Sequence, residues 1–217
     1  MINLDNVTLV SVTSVNLDRT IKALKYSCKN IIFNDVILLT DKDVSTDNIN
    51  VIKIEELDYI GYSKFIVYEL HKYIKTDFAL IIQEDGFVVN ANKWDDNFLK
   101  YDYIGAPFIL PRQDDNISYR DSFGNLIRVG NGGFSLRSKK LLSLPTLLNF
   151  EWKSYFGYYN EDGFFVVHNR HILEENGCVY APVDVAARFS HERQTDETIG
   201  ITPFGFHGKS HHNNNLI

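Results

Sequence analysis

Residues 78–86 read FALIIQEDG. Five apolar residues in a row, entered from Asp77 and left at Gln83, describe a strand covered on both faces. A strand with one wet face would alternate apolar and polar residues. Strands of this kind belong to α/β sheets, where helices cover both sides. The run stops abruptly in two acids and a glycine. In an open α/β sheet, ligands bind beyond the carboxyl ends of the strands. Gln83, Glu84 and Asp85 are therefore delivered to a candidate site by the strand itself. A solvated turn uses the same residue types, so the acids alone do not decide between the two.

Working outward, the alternation of strands and helices continues. Residues 7–12 (VTLVSV) are β-branched and apolar and predict a first strand, closed by the turn residues Thr13, Ser14 and Asn16. Leu17, Ile21, Leu24 and Cys28 fall at helical spacing over 17–29. Residues 36–40 (VILLT) and 51–54 (VIKI) predict two more strands, and 62–74 an amphipathic helix before the strand at 78–82. The order β-α-β-β-α-β predicts a mixed α/β sheet with parallel pairs, flanked by helices, in a single domain. The division expected is a nucleotide-binding half over 1–90, an acceptor half over 91–209 and a flexible tail over 210–217.

The second half is less regular. A short helix is expected over 94–100, a short strand over 103–107 and a polar loop over 112–125 bordering the acceptor side. A strand at 134–136 leads to a helix capped by Ser138 and ending before Pro145. A further helix over 164–176 is closed by Gly177. Residues 179–187 are expected to be a strand region, and 203–208 (PFGFHG) a glycine-rich aromatic turn.

Composition narrows the class. The chain has 217 residues, enough for one domain with its own core. It is 44% hydrophobic and 23% charged, which excludes disorder and low-complexity scaffolds. The net charge of −6 disfavours a nucleic-acid backbone as partner. Cys28 and Cys178 stand far apart, neither in a CxxC pair, so two reduced thiols and a reducing compartment are expected. No basic region precedes the short apolar run of MINLDNVTLVSV, and no stretch approaches the roughly 20 apolar residues of a membrane span. A cytoplasmic location is the expectation.

Three further stretches can carry chemistry. Gly130, Asn131, Gly132 and Gly133 allow close backbone approach to a ligand, or a bulged hairpin. Asn160, Glu161 and Asp162 open a helix, where acids complement the dipole or serve as a general base. Of the two acids, Glu161 shares the helical stripe of Phe165, His168 and Ile172, which leaves Asp162 as the preferred base. His207, between Phe206 and Gly208, can ligate a metal through neutral imidazole or simply be hydrogen-bonded. No GxGxxG, phosphate loop, HExxH or GxSxG pattern is present.

Taken in order, LIIQEDGFVV, VGNGGFSLRS, NEDGFF and FGFHG resemble the nucleotide-sugar glycosyltransferases of the GT-A fold. The likeness extends to a family of short GT-A-like proteins with stretches similar to WDDNFLKYDYIGAP. It spans about residues 7–208. By that resemblance Asp85 takes the place of the metal-binding acid in a DxD-type motif. Gln83 stands where the first Asp often lies, and Glu84 in the middle. His207 would complete a Mn²⁺ or Mg²⁺ site with Asp85. Asp162, with Glu161 beside it, matches the catalytic base of inverting members. Thr13, Ser14 and Asn16 match the nucleotide pocket. Lys64, or an Arg of the 112–140 segment, would reach the donor phosphates, and Asn131, Gly132 and Gly133 would line the acceptor side.

The implied activity is transfer of a sugar from a nucleotide-diphosphate donor to a hydroxyl of a glycan or other saccharide. Two other classes stay open on the residues: a nucleotide-sugar-binding module without turnover, and a metal-dependent nucleotidyltransferase or phosphohydrolase.

Overall fold

The computed structural model describes residues 1–110, 119–153 and 160–217. Its centre is a six-stranded sheet of order β3-β2-β1-β4-β6-β5. The strands are β1 (Ile2–Thr13), β2 (Ile31–Thr40), β3 (Asn50–Lys53), β4 (Phe78–Ile82), β5 (Tyr103–Ile104) and β6 (Phe134–Ser138). β3, β2, β1 and β4 run parallel, and β6 pairs antiparallel with both β4 and β5. The chain is a mixed α/β single domain, as its pattern of apolar runs predicts.

β1 lies between β2 and β4 and is buried at every position from Val7 to Thr13. That double cover is why its sequence is apolar without strict alternation. One face packs on α1 (Leu17–Ser27), which buries Thr20, Ala23, Leu24 and Ser27. On that side lie also Phe87, Phe98, Phe189, Phe204 and Phe206. The other face packs on α2 (Tyr59–Tyr68), α3 (Lys139–Leu147) and the helical segment after Asn160, through Ile66, Val67, Leu141, Leu142, Phe164 and Phe165.

Several boundaries differ from expectation. α2 begins earlier than expected because Asp58 caps it, its Oδ1 accepting from the Gly61 N–H at 2.6 Å. The segment after it tightens into a 3₁₀ turn, Leu70–Lys72. α3 is capped by Ser138 as expected, but it runs through Pro145 to Leu147. The segment over 161–175 holds three pieces: α4 (Glu161–Gly163), π-helical Phe164–His168 and α5 (Arg170–Glu175).

The strand region expected over 179–187 is a correction. Val183–Phe189 is a helix, α6, opened by Pro182, whose fixed φ suits a helix start. After it come β7 (Ser190–His191) and β8 (Gly205–Phe206), which pair with each other. Residues 212–216 form a 3₁₀ turn, and Arg19 of α1 donates to the Asn214 carbonyl. Of the expected loop over 112–125, residues 112–118 lie outside the described residues. Its end, 119–126, is a tight turn in which Asp121 accepts from the Phe123 and Asn125 N–H groups.

Candidate active site

Every strand-end motif of the sequence is brought to one side of the sheet. β4 ends at Ile82, whose carbonyl accepts from Ser11 Oγ of β1 at 2.8 Å. The chain then turns, with the Gly86 N–H donating to the Gln83 carbonyl at 3.1 Å. Asp85 is left buried at the carboxyl edge of the sheet.

His207 arrives at Asp85 through main-chain pairing. Its own N–H donates to the His191 carbonyl, and the Gly208 N–H donates to the Asp85 carbonyl, each at 2.8 Å. Its Nε2 then stands 3.4 Å from Asp85 Oδ1 and 3.3 Å from Gln83 Oε1. Its Nδ1 faces Glu192 Oε1 at 3.6 Å. Burial alone would lower the imidazole. The Asp85 and Glu192 carboxylates on either side of the ring outweigh it and raise His207 to about 9. Burial likewise pushes Asp85 up, and His207 beside it brings the carboxyl below its ordinary range.

Two consecutive glycines make this closeness possible. A Cβ on Gly133 would lie 2.1 Å from His207 Nε2. One on Gly132 would lie 2.6 Å from Glu161 Oε1 and 3.1 Å from Asp162 Cβ. The GNGG segment is thus the floor on which His207 and the acid pair both rest.

Glu161 is buried and Asp162 half-buried. Glu161 Oε1 meets Nη2 of Arg137, from β6, at 3.2 Å. Asp162 Oδ1 accepts from the Gly163 N–H at 2.8 Å. Burial, then the adjacent Glu161 charge, raises Asp162 to about 7. The π-helical turn that follows interrupts a regular helix at this point, a feature often found at functional sites.

The turn after β1 sits close by. Thr13 Oγ1 bonds the Val15 backbone, Ser14 Oγ accepts from the Leu57 N–H at 2.9 Å, and Asn16 Nδ2 donates to Glu84 Oε1 at 2.6 Å. Gln83, Asp85, Gly132, Gly133, Glu161, Asp162 and His207 are thus brought together and Asn16 joins them through Glu84, whereas the Thr13 and Ser14 side chains of the same turn bond Val15 and Leu57, and Asn131 belongs to the glycine segment. Lys64 is not drawn into these contacts. It is exposed on α2, about 200° round the helix from Tyr62, which reaches the site. Asn131 is buried, and its Oδ1 lacks a hydrogen-bond partner among the described residues.

Three functional neighbours were not singled out from the sequence. Tyr62 Oη accepts from Gln83 Nε2 at 2.9 Å, which turns the Gln83 carbonyl oxygen toward His207. Glu192 backs His207, and Lys209 Nζ lies 3.4 Å from Glu84 Oε1. A separate recess of about 630 Å³ opens beyond β2 and β3, lined by Asp41, Lys53, Leu57, Phe65 and Tyr73 among others. Ser14 borders it, through its hydrogen bond to Leu57 and its contact with Asp41.

Asp85 and His207 are the residues that could hold a divalent cation here. Two donor atoms 3.4 Å apart, a carboxylate oxygen and an imidazole nitrogen, have the spacing of neighbouring ligands around one ion with bonds of about 2.1 Å. Among the described residues, no three His, Cys, Asp or Glu side chains gather around one point. Mg²⁺-type ions need few protein ligands, because substrate phosphates complete the shell. Glu192 on the far ring nitrogen is an orienting partner of the kind metal-bound histidines have.

These features define a GT-A-like fold. The chain matches the crystal structure of the galactosyltransferase LgtC in complex with donor and acceptor sugar analogs, at a TM-score of 0.55 and 15% identity, covering 92% of this chain and 86% of that one. A second match, S. aureus TarS 1–349, has a TM-score of 0.46 and 14% identity, with 74% of this chain and 54% of that one covered. At that score it adds nothing to the assignment. No curated protein matches the chain. The protein belongs to DUF5672, a family described as of unknown function, whose pattern it matches over residues 43–207. No helix among the described residues is long and apolar enough to cross a membrane.

Proposed function

We propose that the protein is a nucleotide-sugar-dependent glycosyltransferase acting with inversion on a hydroxyl of a glycan or other saccharide. One observation carries the reading. His207, beside Asp85, and the side chain of Asp162 pack against adjacent glycines, 133 and 132, which brings a candidate cation site and a candidate proton acceptor to one short segment.

In this reading the donor nucleotide lies against Thr13, Ser14 and Asn16, with Gln83 and Glu84 beside its sugar or ribose. Asp85 and His207 would hold Mn²⁺ or Mg²⁺ together with the donor's phosphates. A cation bound there neutralises charge on the leaving diphosphate. Asp162 accepts the proton of the acceptor hydroxyl as attack proceeds. That hydroxyl has a very high pKa and needs a base held beside it. A carboxyl raised to about 7 is ionised often enough to work near neutrality and basic enough to take the proton.

The test is a panel of nucleotide sugars, each with and without Mn²⁺. A bound donor at 100 times its Kd adds about 2.7 kcal/mol of stability. Slow release of free sugar and nucleoside diphosphate, and an inverted anomeric centre in the product, are expected. Release of pyrophosphate or inorganic phosphate would instead mark a nucleotidyltransferase or phosphohydrolase. Stabilisation with no release would mark a binding module.

A further inference from the structure

Arg137 lies on β6, a strand buried at all five positions, and its side chain is 0% exposed. A guanidinium removed from water so completely needs a charged partner and further hydrogen bonds. Nη2 meets Glu161 Oε1 at 3.2 Å, and Nε donates to Ser135 Oγ at 3.0 Å. Ser135 Oγ in turn donates to the Gly132 carbonyl at 2.9 Å. The guanidinium carbon lies 5.0 Å from the Tyr103 ring and 5.3 Å from the Phe165 ring. A Cβ on Gly132 would touch both partners, at 2.6 Å from Glu161 Oε1 and 2.7 Å from Arg137 Nη2. The ion pair is sealed under Gly132.

Asp162 is held differently. Its carboxylate accepts one main-chain N–H and, among the described residues, bonds no other side chain. Two adjacent carboxyls in a partly dry site do not ionise with equal ease, because each charge disfavours the other.

We infer that Arg137 divides the acid pair, fixing Glu161 as a buried anion and leaving Asp162 as the carboxyl that exchanges a proton. Arg137 and Glu161 are positioning residues, and Asp162 is the group that touches the substrate. The inference deepens the transferase reading and rests on it for the substrate. The groups facing Asp162 are Glu161 beside it, Arg137 from β6, Tyr59 and Tyr62 from α2, Tyr103 from β5, and Glu192 after β7. Burial and Glu161 raise the carboxyl, and Glu161 acts on it more strongly than Arg137, which lowers it. Neighbouring groups pushed to different proton affinities are how one site acquires distinct acid–base roles.

The experiment is a carboxyl ¹³C NMR titration of the full chain without donor, with Asp162→Asn used to assign the resonance. Asp162 is expected to titrate near neutrality. Glu161→Gln keeps the shape and an acceptor for Arg137 but removes the charge. The Asp162 midpoint should then fall by about one pH unit or more. The acid limb of donor turnover should move with it, which a purely structural Glu161 would not cause. If the single variant does not fold, Arg137→Met with Glu161→Gln removes both charges and should still lower the midpoint. An unchanged Asp162 midpoint in the folded variant overturns the inference. If the titrations behave as stated and no nucleotide sugar is turned over, the transferase reading falls and the division of the pair stands.

Discussion

Residues 2–82 and residues 83–208 hold together by different rules. In the first stretch, β1, β2 and β4 bury aliphatic side chains as a class, and several shapes of similar volume would serve. In the second, the chain is fitted atom against atom. Gly133 leaves no room for a Cβ beneath His207, Gly132 none beneath Glu161, and Gly86 little between the Phe206 and Gly133 carbonyls. Regular ladders make the scaffold, and close backbone approaches make the site. A change inside the buried ladders of β1, β2 and β4 should therefore reduce stability before it alters chemistry, and a change at the glycine-floored site should do the reverse.

The largest separation of the two is expected at Asp162→Asn. The amide keeps the shape and loses the basicity, so turnover should fall by roughly 10²–10⁴. Stability should move the other way. The folded-state pKa of Asp162 is raised, so its favourable contribution is full below about pH 4 and is lost as pH rises through about 7. The Asn variant should match wild type in urea melts at pH 4 and exceed it at pH 8. Loss of stability at pH 8, or retention of turnover, would break the contrast.

Leu80→Ala tests the scaffold side. Leu80 is completely buried in the centre of β4, so truncation should cost about 2–5 kcal/mol in urea unfolding. Donor binding by the folded fraction should survive. Gly133→Ala is its counterpart. A methyl group 2.1 Å from His207 Nε2 forces the ring away from Asp85, so the Mn²⁺-dependent part of the donor thermal shift should disappear. If Leu80→Ala abolished donor binding in the folded protein, the scaffold and the site would not be separable.

The same contrast explains what was legible in the sequence. β1, α1 and β4 announce themselves because burial on a repeating element leaves a period. The acid runs, GNGG and His207 were visible as anomalies of residue type at element ends. That Asp85 and His207 meet was expected from the resemblance and not from the residues alone, because Gly208 pairing with Asp85 is a main-chain event with no side-chain signature. Arg137 was covered only as one of the arginines of the 112–140 segment expected at the donor phosphates, and with the strand expected to end at 136 its burial against Glu161 left no mark. Yet Glu161 on an apolar stripe is the matching anomaly. Two opposite charges, each on a face that must be buried, call for each other. Helix α6 was misread because Val183 and Val185 favour strands locally, while packing of Val185, Ala186 and Phe189 on the core decides for a helix.

A smaller effect is expected where the regions join. Ser138 ends β6 and caps α3, its Oγ accepting from the Leu141 N–H at 3.0 Å and bonding Asp102 Oδ1 at 2.5 Å. Ser138→Ala should cost about 0.5–2 kcal/mol in urea unfolding, as lost helix caps do. Donor turnover per folded molecule should not change, because among the described residues no hydrogen bond or ion pair links Asp102 or α3 to His207 or Asp162.

Lys64→Ala should have the least effect. Lys64 lies on α2 close in sequence to Tyr62, so a donor-phosphate contact is a natural expectation for it. The helix argues otherwise. Two residues along an α-helix turn the side chain through about 200°, so when Tyr62 reaches Gln83, Lys64 faces water. Among the described residues it forms no ion pair or hydrogen bond. Surface substitutions of this sort stay within about 0.5 kcal/mol, which is roughly a factor of two in an equilibrium constant. The donor Kd of Lys64→Ala, measured by calorimetry at low and at physiological salt, should stay within that factor. A tenfold loss at both salt concentrations would mean that α2 presents its outer face to the phosphates. The boundary between scaffold and site would then run through α2 rather than past it.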